Sequence, residues 1–584
     1  MRRTKIVVTL GPATDEGDTV RGLLRAGLDA ARLNLSHGTP DEHRRRLAAL
    51  RREADRVGRH IPVLWDTKGP EARIGPMKEG SLLRPGDPFV LTTDPVTGNK
   101  DRAHIPLPSF PDLVRRGEEI LLDDGRIVLR VEEVGQRDVL CRVVEGGPLL
   151  GHKKVSASGL TSGLPAVSRA DEADFALGAE LGAEIVAASF VRTAGHVLEI
   201  RERIASLGWR PMVLAKIETR EAVSNIRSIV DVSDGIMLAR GDLGLALPTE
   251  EMPIVQKELI SLSRRLGKPV VTATQMLESM VDHPRPTRAE ATDVANAILD
   301  GTDAVMLSEE TAVGHHPVEA VAMMGRIAEV ADRAVVERAA PPQGGGSSVG
   351  EAISSAIWRI ARDVDAQAIL SATQSGYTAR MVARNRPEAV IIAATPDAWT
   401  ARKLSLVWGV RPIVVPTATT TDEMMDRAIE GALGSGLVGE GDLVVLTAGV
   451  PVGVPGTTNL IQVQTLGEPL LSGQGIGSGV VRGSAHLAAE DGDALRLREG
   501  AVLVARRTTA SMVPAIERAA AVITEEGGLT SHAALVGASL GKPVIVGAEG
   551  ALQIVGEGDR IVVDARRGRV WRAQAAPPSP PESP

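Results

Sequence analysis

The chain has 584 residues, too many for one folding unit, and its 43% apolar and 24% charged residues are the ordinary mix of a globular protein rather than a disordered one. Aromatic residues make up only 2%, so the cores must be built from Val, Leu, Ile and Ala, which suits the fully buried strands of parallel sheets and hence an α/β architecture. A net charge of −8 with no block of lysines and arginines excludes a phosphate-tracking surface, and no nucleic-acid partner is expected.

The N-terminal stretch MRRTKIVVTLGPATDEGD carries an apolar run too short for a secretory core, and nothing downstream approaches the ~18 apolar residues of a membrane span. No membrane association is expected, and the cytoplasm is the expected location. The single cysteine, Cys141, can form neither an internal disulfide nor a multi-cysteine metal site, which fits a reducing compartment.

From residue 5 to residue 308, short apolar runs ending in polar residues recur between helical or loop segments. KIVVTLG, AARLNLSHG, PVLWDTKG, EIVAASFV, PMVLAKIE, GIMLARGD, PVVTATQ and AVMLSEE make eight plausible buried strands, which predicts a (β/α)8 TIM barrel. Its catalytic domain is expected over 1–69 and 156–338. Residues 70–155 break the pattern with alternating strands such as RIVLRVEEV and DVLCRVV and turns such as DDG and EGG, and read as an inserted β-rich lid.

The Pro, Gly and Ser-rich stretch from Ala339 to Glu351 reads as a linker. After it, AQAILSAT, AVIIAAT, RPIVVP and DLVVLTAG alternate with helical segments and predict a second α/β domain over 345–465. The glycine-rich SGQGIGSG, Ser472 to Gly479, has the wrong spacing for a dinucleotide loop and reads as the join to a further domain over 470–573. The tail 574–584 is expected to be disordered.

The barrel tips carry the chemistry. The fifth and sixth place Lys216, Glu218, Arg240, Gly241 and Asp242 at one rim, and two carboxylates suffice for a magnesium ion that completes its octahedron with water and substrate oxygens. Read alone, Lys-x-Glu is more often a solvated ion pair. The oxygens of Asn34 and Ser36 at the second tip, with Asp66 and Thr67 at the third, suit a monovalent cation, although Asn and Ser before a helix are usually caps. Gly241 and Asp242 lie just ahead of the helical stretch TEEMPIVQKELI, where backbone N–H groups could meet a carboxylate, and Asp242 could equally serve as a cap. His315-His316 before a proline has no ligand-spaced neighbours and reads as surface.

The segments RLNLSHG, DTKGPEARIG, AKIETREAVSNI, IMLARGDLG, TATQMLESM and RPTRAEATDVANA resemble the signatures of the pyruvate kinase family, in that family's order over roughly residues 1 to 465. GGLTSHAA resembles the phosphohistidine-like domain that some bacterial members carry at the C-terminus. The resemblance implies phosphoryl transfer from phosphoenolpyruvate to ADP, giving pyruvate and ATP as the last step of glycolysis, with Mg2+ (or Mn2+) and K+ as cofactors. A homotetramer and a phosphorylated allosteric effector are implied as well.

Carried across residue by residue, the resemblance makes Glu218 and Asp242 the magnesium ligands and Asn34, Ser36, Asp66 and Thr67 the potassium ligands. Arg32 and Arg73 hold the phosphoryl group, and Lys216 stabilises the charge of transfer and the enolate left behind. Gly241, Asp242 and Thr274 join the substrate site, with Thr274 near the face where the enolate is protonated, either as a hydroxyl relay or beside a water that acts as the acid. Asn34, His37, Arg73 and Lys153 lie on the nucleotide path. Glu71 stands where potassium-dependent members carry glutamate, so a potassium requirement is expected.

Two segments depart from the family. HKKVSASG replaces the usual continuation after the lid lysines, and Glu309 stands where the family has glycine. In the second α/β domain Thr373, Ser375, Gly376 and Thr378 match an effector phosphate loop, with Arg380, Arg384, Lys403 and Trp408 nearby. His532 matches the histidine phosphorylated in phosphoenolpyruvate-utilising enzymes. No nucleotide domain that would serve such a carrier is evident, so a structural or vestigial histidine is the reading taken. Three rival readings compete with the pyruvate kinase one: a phosphohistidine enzyme, a magnesium-dependent lyase or aldolase, and a catalytically dead metabolite sensor. The first lacks its partner domain, the second leaves the monovalent-ion set unexplained, and intact Lys216, Arg73 and Thr274 oppose the third.

Overall fold

The computed structural model describes residues 2–123, 125–157, 160, 164–339, 348–449, 458–477 and 479–573. The linker expected at 339–351 falls largely on 340–347, and the expected disordered tail on 574–584, both outside the described residues. The chain divides into two compact units: Met1–Ala340 with Ala379–Arg386 and Asp397–Pro412, and Pro341–Thr378 with Pro387–Pro396 and Ile413–Pro584.

In the first unit the eight expected strands are all present and close a parallel barrel. They are β1 (Lys5–Thr9), β2 (Ala30–Asn34), β3 (Val63–Asp66), β4 (Ile185–Ala188), β5 (Met212–Ile217), β6 (Gly235–Ala239), β7 (Val270–Ala273) and β8 (Ala304–Leu307), each paired with its neighbours and β8 closing on β1. Their continuous burial follows from packing on two sides. Val7, Leu64, Leu214, Met237, Val271 and Met306 fill the lumen, while Ile6, Leu33, Trp65, Ile217, Leu238 and Leu307 pack outward against the helices. Polar residues cap several of the barrel helices: Thr39 with Glu42, Ser168 with Asp171 and Thr287 with Glu290 form capping boxes, and Thr219 caps the helix Arg220–Ser224 directly after Glu218.

Between β3 and β4 the chain forms a seven-stranded sheet. Its long hairpin, Ile127–Val134 with Asp138–Glu145, alternates buried apolar and exposed polar side chains, so one face makes a separate core with Phe89, Leu129, Val131 and Val139. Cys141 belongs to that core, and burial, followed by the nearby Glu132 charge, pushes its thiol up to about 12.

In the second unit, parallel strands β9 (Ala368–Ala372), β10 (Val390–Thr395) and β11 (Leu443–Gly449) pair with antiparallel β12 (Thr458–Thr465) in a mixed sheet. A further eight-stranded sheet follows. Its long strand Val480–Ala488 pairs antiparallel with Arg560–Asp564 through its first half and parallel with Val502–Ala505 through its second. The glycine-rich stretch read as a join is in part this sheet's edge, since Gln474–Ile476 pairs with Val544–Val546. Glycine is required there by close approach: a Cβ on Gly475 would stand 1.7 Å from the Ala565 carbonyl oxygen. Among the described residues no helix is long and apolar enough to cross a membrane.

Candidate active site

Register brings the polar ends of the barrel strands together. Asn34 pairs beside Asp66, Asp66 beside Ala187, and Lys216 beside Met237, so the residues just past them share one mouth. Lys216 is the hub. Its buried ammonium donates to Ser189 Oγ at 2.7 Å and lies 3.1 Å from Asp66 Oδ1 and 2.9 Å from Glu218 Oε1. Burial opposes its charge, but the carboxylates of Asp66 and Glu218 prevail and raise it above the ordinary lysine range.

Asp66 shows the reciprocal effect. Burial works to raise it, yet Lys216 and Arg32 hold it below the carboxylate range, and its Oδ2 accepts from Arg32 Nε at 2.6 Å. Arg32 is further fixed by Thr9 Oγ1 at 3.2 Å. Ser189 links this group to the third tip, donating to the Thr67 carbonyl at 2.7 Å while its own N–H donates to Thr67 Oγ1 at 3.2 Å.

Glu218 and Asp242 are driven apart. Burial, opposed by Lys216 and reinforced by the Asp242 charge, pushes Glu218 up to about 6, while the Phe190 N–H donates to its Oε2 at 2.6 Å. Asp242, despite burial, is held below its usual range chiefly by Lys154 and Lys216. A cleft of about 700 Å³, lined by Glu71, Lys154, Phe190, Glu218 and Asp242 among others, opens beside this pair.

Gly241 and Asp242 do not sit ahead of the helix that begins at Met252, as the sequence reading had it. They lie in the first turn of their own short helix, Arg240–Ala246. The difference arises because ARGDLG follows β6 without a break and its Leu243 buries into the barrel wall, which propensity alone does not show. The Gly241 N–H donates to Thr274 Oγ1 at 2.8 Å, so sixth and seventh tips are joined by that hydroxyl.

The remaining predicted residues are less convergent. Asn34 Oδ1 accepts from the Ser36 N–H at 3.2 Å, and His37, like Ser36, is exposed. Arg73 is half-exposed and engages Glu71 at 2.6 Å and the His152 carbonyl at 3.0 Å. Lys153 pairs with Asp123 at 2.7 Å, whereas Lys154 meets the Asp242 carboxylate, lies 3.8 Å from Glu71 and stands 4.7 Å over the Phe190 ring. Glu309 is exposed in the first turn of the helix Glu309–Ala312. The sequence pattern marks Arg240 at the sixth tip without assigning it a role and gives no role to Lys154 or Ser189; the second lysine of HKKV is the only visible signal for Lys154.

In the second unit, the hydroxyls of Thr373 and Thr378 are buried. Thr373 Oγ1 accepts from the Gly376 N–H at 3.0 Å and Thr378 Oγ1 pairs with Thr458 Oγ1 at 2.6 Å, leaving Ser375 exposed. His532 opens the helix His532–Ser539, with Nδ1 at 2.8 Å from Thr508 Oγ1.

Two oxygens at the hub test the fit of cations. Asp66 Oδ1 and Glu218 Oε1 are buried, and their ion pairs to Lys216 leave both without a well-aligned hydrogen bond. Buried anionic oxygens in that state suit a cation, and Glu218 with Asp242 supplies the one or two carboxylates magnesium takes. Among the described residues no group of three or more His, Cys, Asp or Glu side chains converges as a metal site, so such an ion would draw on substrate and water for the rest of its shell.

Three family models match the chain: "Pyruvate kinase, barrel domain" over residues 1–321, "Pyruvate kinase, alpha/beta domain" over 351–464, and "PEP-utilising enzyme, mobile domain" over 497–568. The chain is 48% identical over 583 residues to a pyruvate kinase of Geobacillus stearothermophilus, covering 98% of this chain and 99% of that one. It is 45% identical over 584 residues to a pyruvate kinase of Bacillus licheniformis, covering 99% and 100%. A crystal structure of a pyruvate kinase from Cryptosporidium parvum superposes with a TM-score of 0.72 at 34% identity, covering 80% of this chain and 96% of that one.

Proposed function

From the premise that the chain belongs to the pyruvate kinase family, we propose how its residues carry out phosphoryl transfer from phosphoenolpyruvate to ADP. The observation that carries the reading is Lys216, buried and kept protonated between Asp66, Glu218 and Ser189 at the meeting of the third, fourth and fifth strand tips. A fixed positive charge in a site of low polarity meets the charge that develops on the phosphoryl group and then on the enolate without reorganising.

Arg32, locked by Asp66 and Thr9, adds a second preset cation for the phosphoryl oxygens. Arg73 lies on the lid strand Ala72–Arg73, and exchanging its present partner Glu71 for a phosphoryl oxygen gives it the role the family resemblance implies. Glu218 and Asp242 would hold magnesium or manganese, and Asn34, Ser36, Asp66 and Thr67 would hold potassium. These ions supply charge neutralisation and a template for the phosphates. The buried oxygens of Asp66 and Glu218 that lack a well-aligned hydrogen bond support that assignment. Thr274, fixed against Gly241, lies where the enolate takes its proton. Asn34, His37 and Arg73 line the nucleotide approach, with Lys154 taking the place expected for Lys153, which pairs with Asp123 instead.

The same reading extends to a potassium requirement marked by Glu71, a homotetramer, and a phosphorylated effector at Thr373–Thr378. His532, engaged by Thr508, is structural or vestigial rather than a phosphate carrier. Acid-labile phosphate on His532 after incubation with phosphoenolpyruvate would overturn that last assignment.

The test is pyruvate and ATP formation from phosphoenolpyruvate and ADP with magnesium and potassium, compared with Lys216→Met. The variant should lose about 10²–10³-fold or more in kcat. A Lys216→Met enzyme within tenfold of the parent sinks the assignment. Full activity in buffer free of sodium and potassium refutes the potassium requirement.

A further inference from the structure

The turn after β7 has an unusual backbone. Thr274 adopts φ +70° and Gln275 φ +54°, both in the left-handed region, and Thr274 is β-branched, the residue class least suited to it. Nothing in ATQM favours two successive left-handed residues, so the surroundings must impose them.

Arg240 is what surrounds them. From the first turn of the helix Arg240–Ala246, its Nε and Nη2 donate to the Thr274 carbonyl at 3.2 and 2.8 Å. Nη2 also reaches the Gln275 carbonyl at 2.9 Å and Met276 Sδ at 2.9 Å. Nη1 is tied to Asp293 of the helix Arg288–Asp300 at 2.9 and 2.7 Å. The planar fork thus gathers the carbonyls that a left-handed turn points to one side. The next residue in the chain, Gly241, donates its N–H to Thr274 Oγ1, and that hydroxyl donates to the Ala273 carbonyl at 2.6 Å. Backbone and side chain of Thr274 are therefore set by two consecutive residues of one helical turn.

We propose that Arg240 is a positioning residue for the proton-transfer half of the reaction: it imposes the left-handed turn and so aims the Thr274 hydroxyl at the enolate. This rests on the reading of Thr274 given above. In that step the Thr274 Oγ–H turns from the Ala273 carbonyl to the enolate, and its O–H bond breaks as a C–H bond forms at the methylene carbon. A solvent water gives its proton to the oxygen in the same relay, restoring the hydroxyl and leaving hydroxide to the bulk. Phosphoryl transfer, centred on Lys216, does not pass through this turn.

The experiment compares the full-length parent with Arg240→Lys, Asp293→Asn and Thr274→Ala. It measures exchange of pyruvate methyl protons with D2O by NMR in the presence of magnesium, potassium and ATP, alongside the KM for phosphoenolpyruvate. Lysine keeps the charge and loses the fork, so Arg240→Lys should slow exchange by about tenfold or more while KM shifts less than about threefold. Asp293→Asn loosens the guanidinium and should slow exchange by about threefold. Adding Gln275→Gly to Arg240→Lys should restore part of the loss, because glycine adopts the left-handed region without help.

Exchange within twofold of the parent in Arg240→Lys overturns the proposal. So does a loss that Gln275→Gly leaves untouched and that KM follows in proportion. If Arg240→Lys does not fold, unchanged exchange in Asp293→Asn overturns it instead. If Thr274→Ala exchanges normally, the reading of Thr274 fails; if Thr274→Ala is slow and Arg240→Lys is not, only the role of Arg240 fails.

Discussion

Lys154 carries its ammonium to the carboxylate of Asp242, while Lys153, one residue earlier, turns away to Asp123 at 2.7 Å. The strand Lys154–Ser156 pairs antiparallel with Ala72–Arg73, which places Lys154 opposite Arg73. Successive side chains on an extended strand leave by opposite faces, so only one of two adjacent lysines can face the cleft.

Replacing each lysine separately checks this. Lys154→Met should lower kcat/KM for pyruvate formation by about 10–100-fold, the scale of a lost charge-assisted contact, and Lys153→Met should stay within about threefold. The reverse ranking in steady-state assays would return the role to Lys153.

Asp174 gives a pH-dependent prediction away from the cleft. Burial, countered by Lys68 and reinforced by Asp171, pushes its carboxyl up to about 6, and its Oδ2 is buried without a hydrogen bond. A folded pKa above the unfolded value means that the group stabilises fully only below the unfolded pKa, near 4, and that this contribution is lost as pH rises through about 6. Asp174→Asn should therefore stabilise the protein at pH 7.5 by on the order of 1–2 kcal/mol, discounted for partial exposure. The gain should shrink as pH falls toward 4. Thermal melts of variant and parent across that range check it, and a gain that grows on acidification contradicts it.

Removal of the last domain is informative as well. Every residue assigned to the barrel mouth precedes Glu468, so a chain ending there should keep kcat within about threefold. It should also melt earlier, by about 2–4 °C, because Trp571 is fully buried with its indole N–H on the Gly467 carbonyl at 3.2 Å, and Arg482 pairs with Asp442. A truncated protein that folds but is inactive would show that the domain takes part in catalysis.

The barrel was legible because each strand signals itself twice, by an apolar run and by the polar residues that end it. Asp66, Lys216, Glu218 and Asp242 stand out in the sequence on that basis. The contacts of Ser189 and Arg240 do not follow from it, since their partners lie 27 and 34 residues away and nothing local marks them. The short helix at Arg240 was hidden for a different reason. Two glycines in RGDLG argue for a loop, and burial of Leu243 overrides them. The edge strand at Gln474–Ile476 was concealed likewise, because the glycines that suggest a flexible join are there for close backbone approach.

The charges at the barrel mouth alternate in sign: Arg32, Lys154 and Lys216 face Asp66, Glu218 and Asp242, three against three. Such a neutral lattice resists a lone visitor of either sign, since a polyanion would crowd the carboxylates and a bare dication would crowd the ammonium groups. Arriving together they nearly cancel, each loosening the internal pairs that the other then inherits. The apparent affinity for phosphoenolpyruvate should therefore rise with magnesium concentration, and that for magnesium with phosphoenolpyruvate, by one common factor.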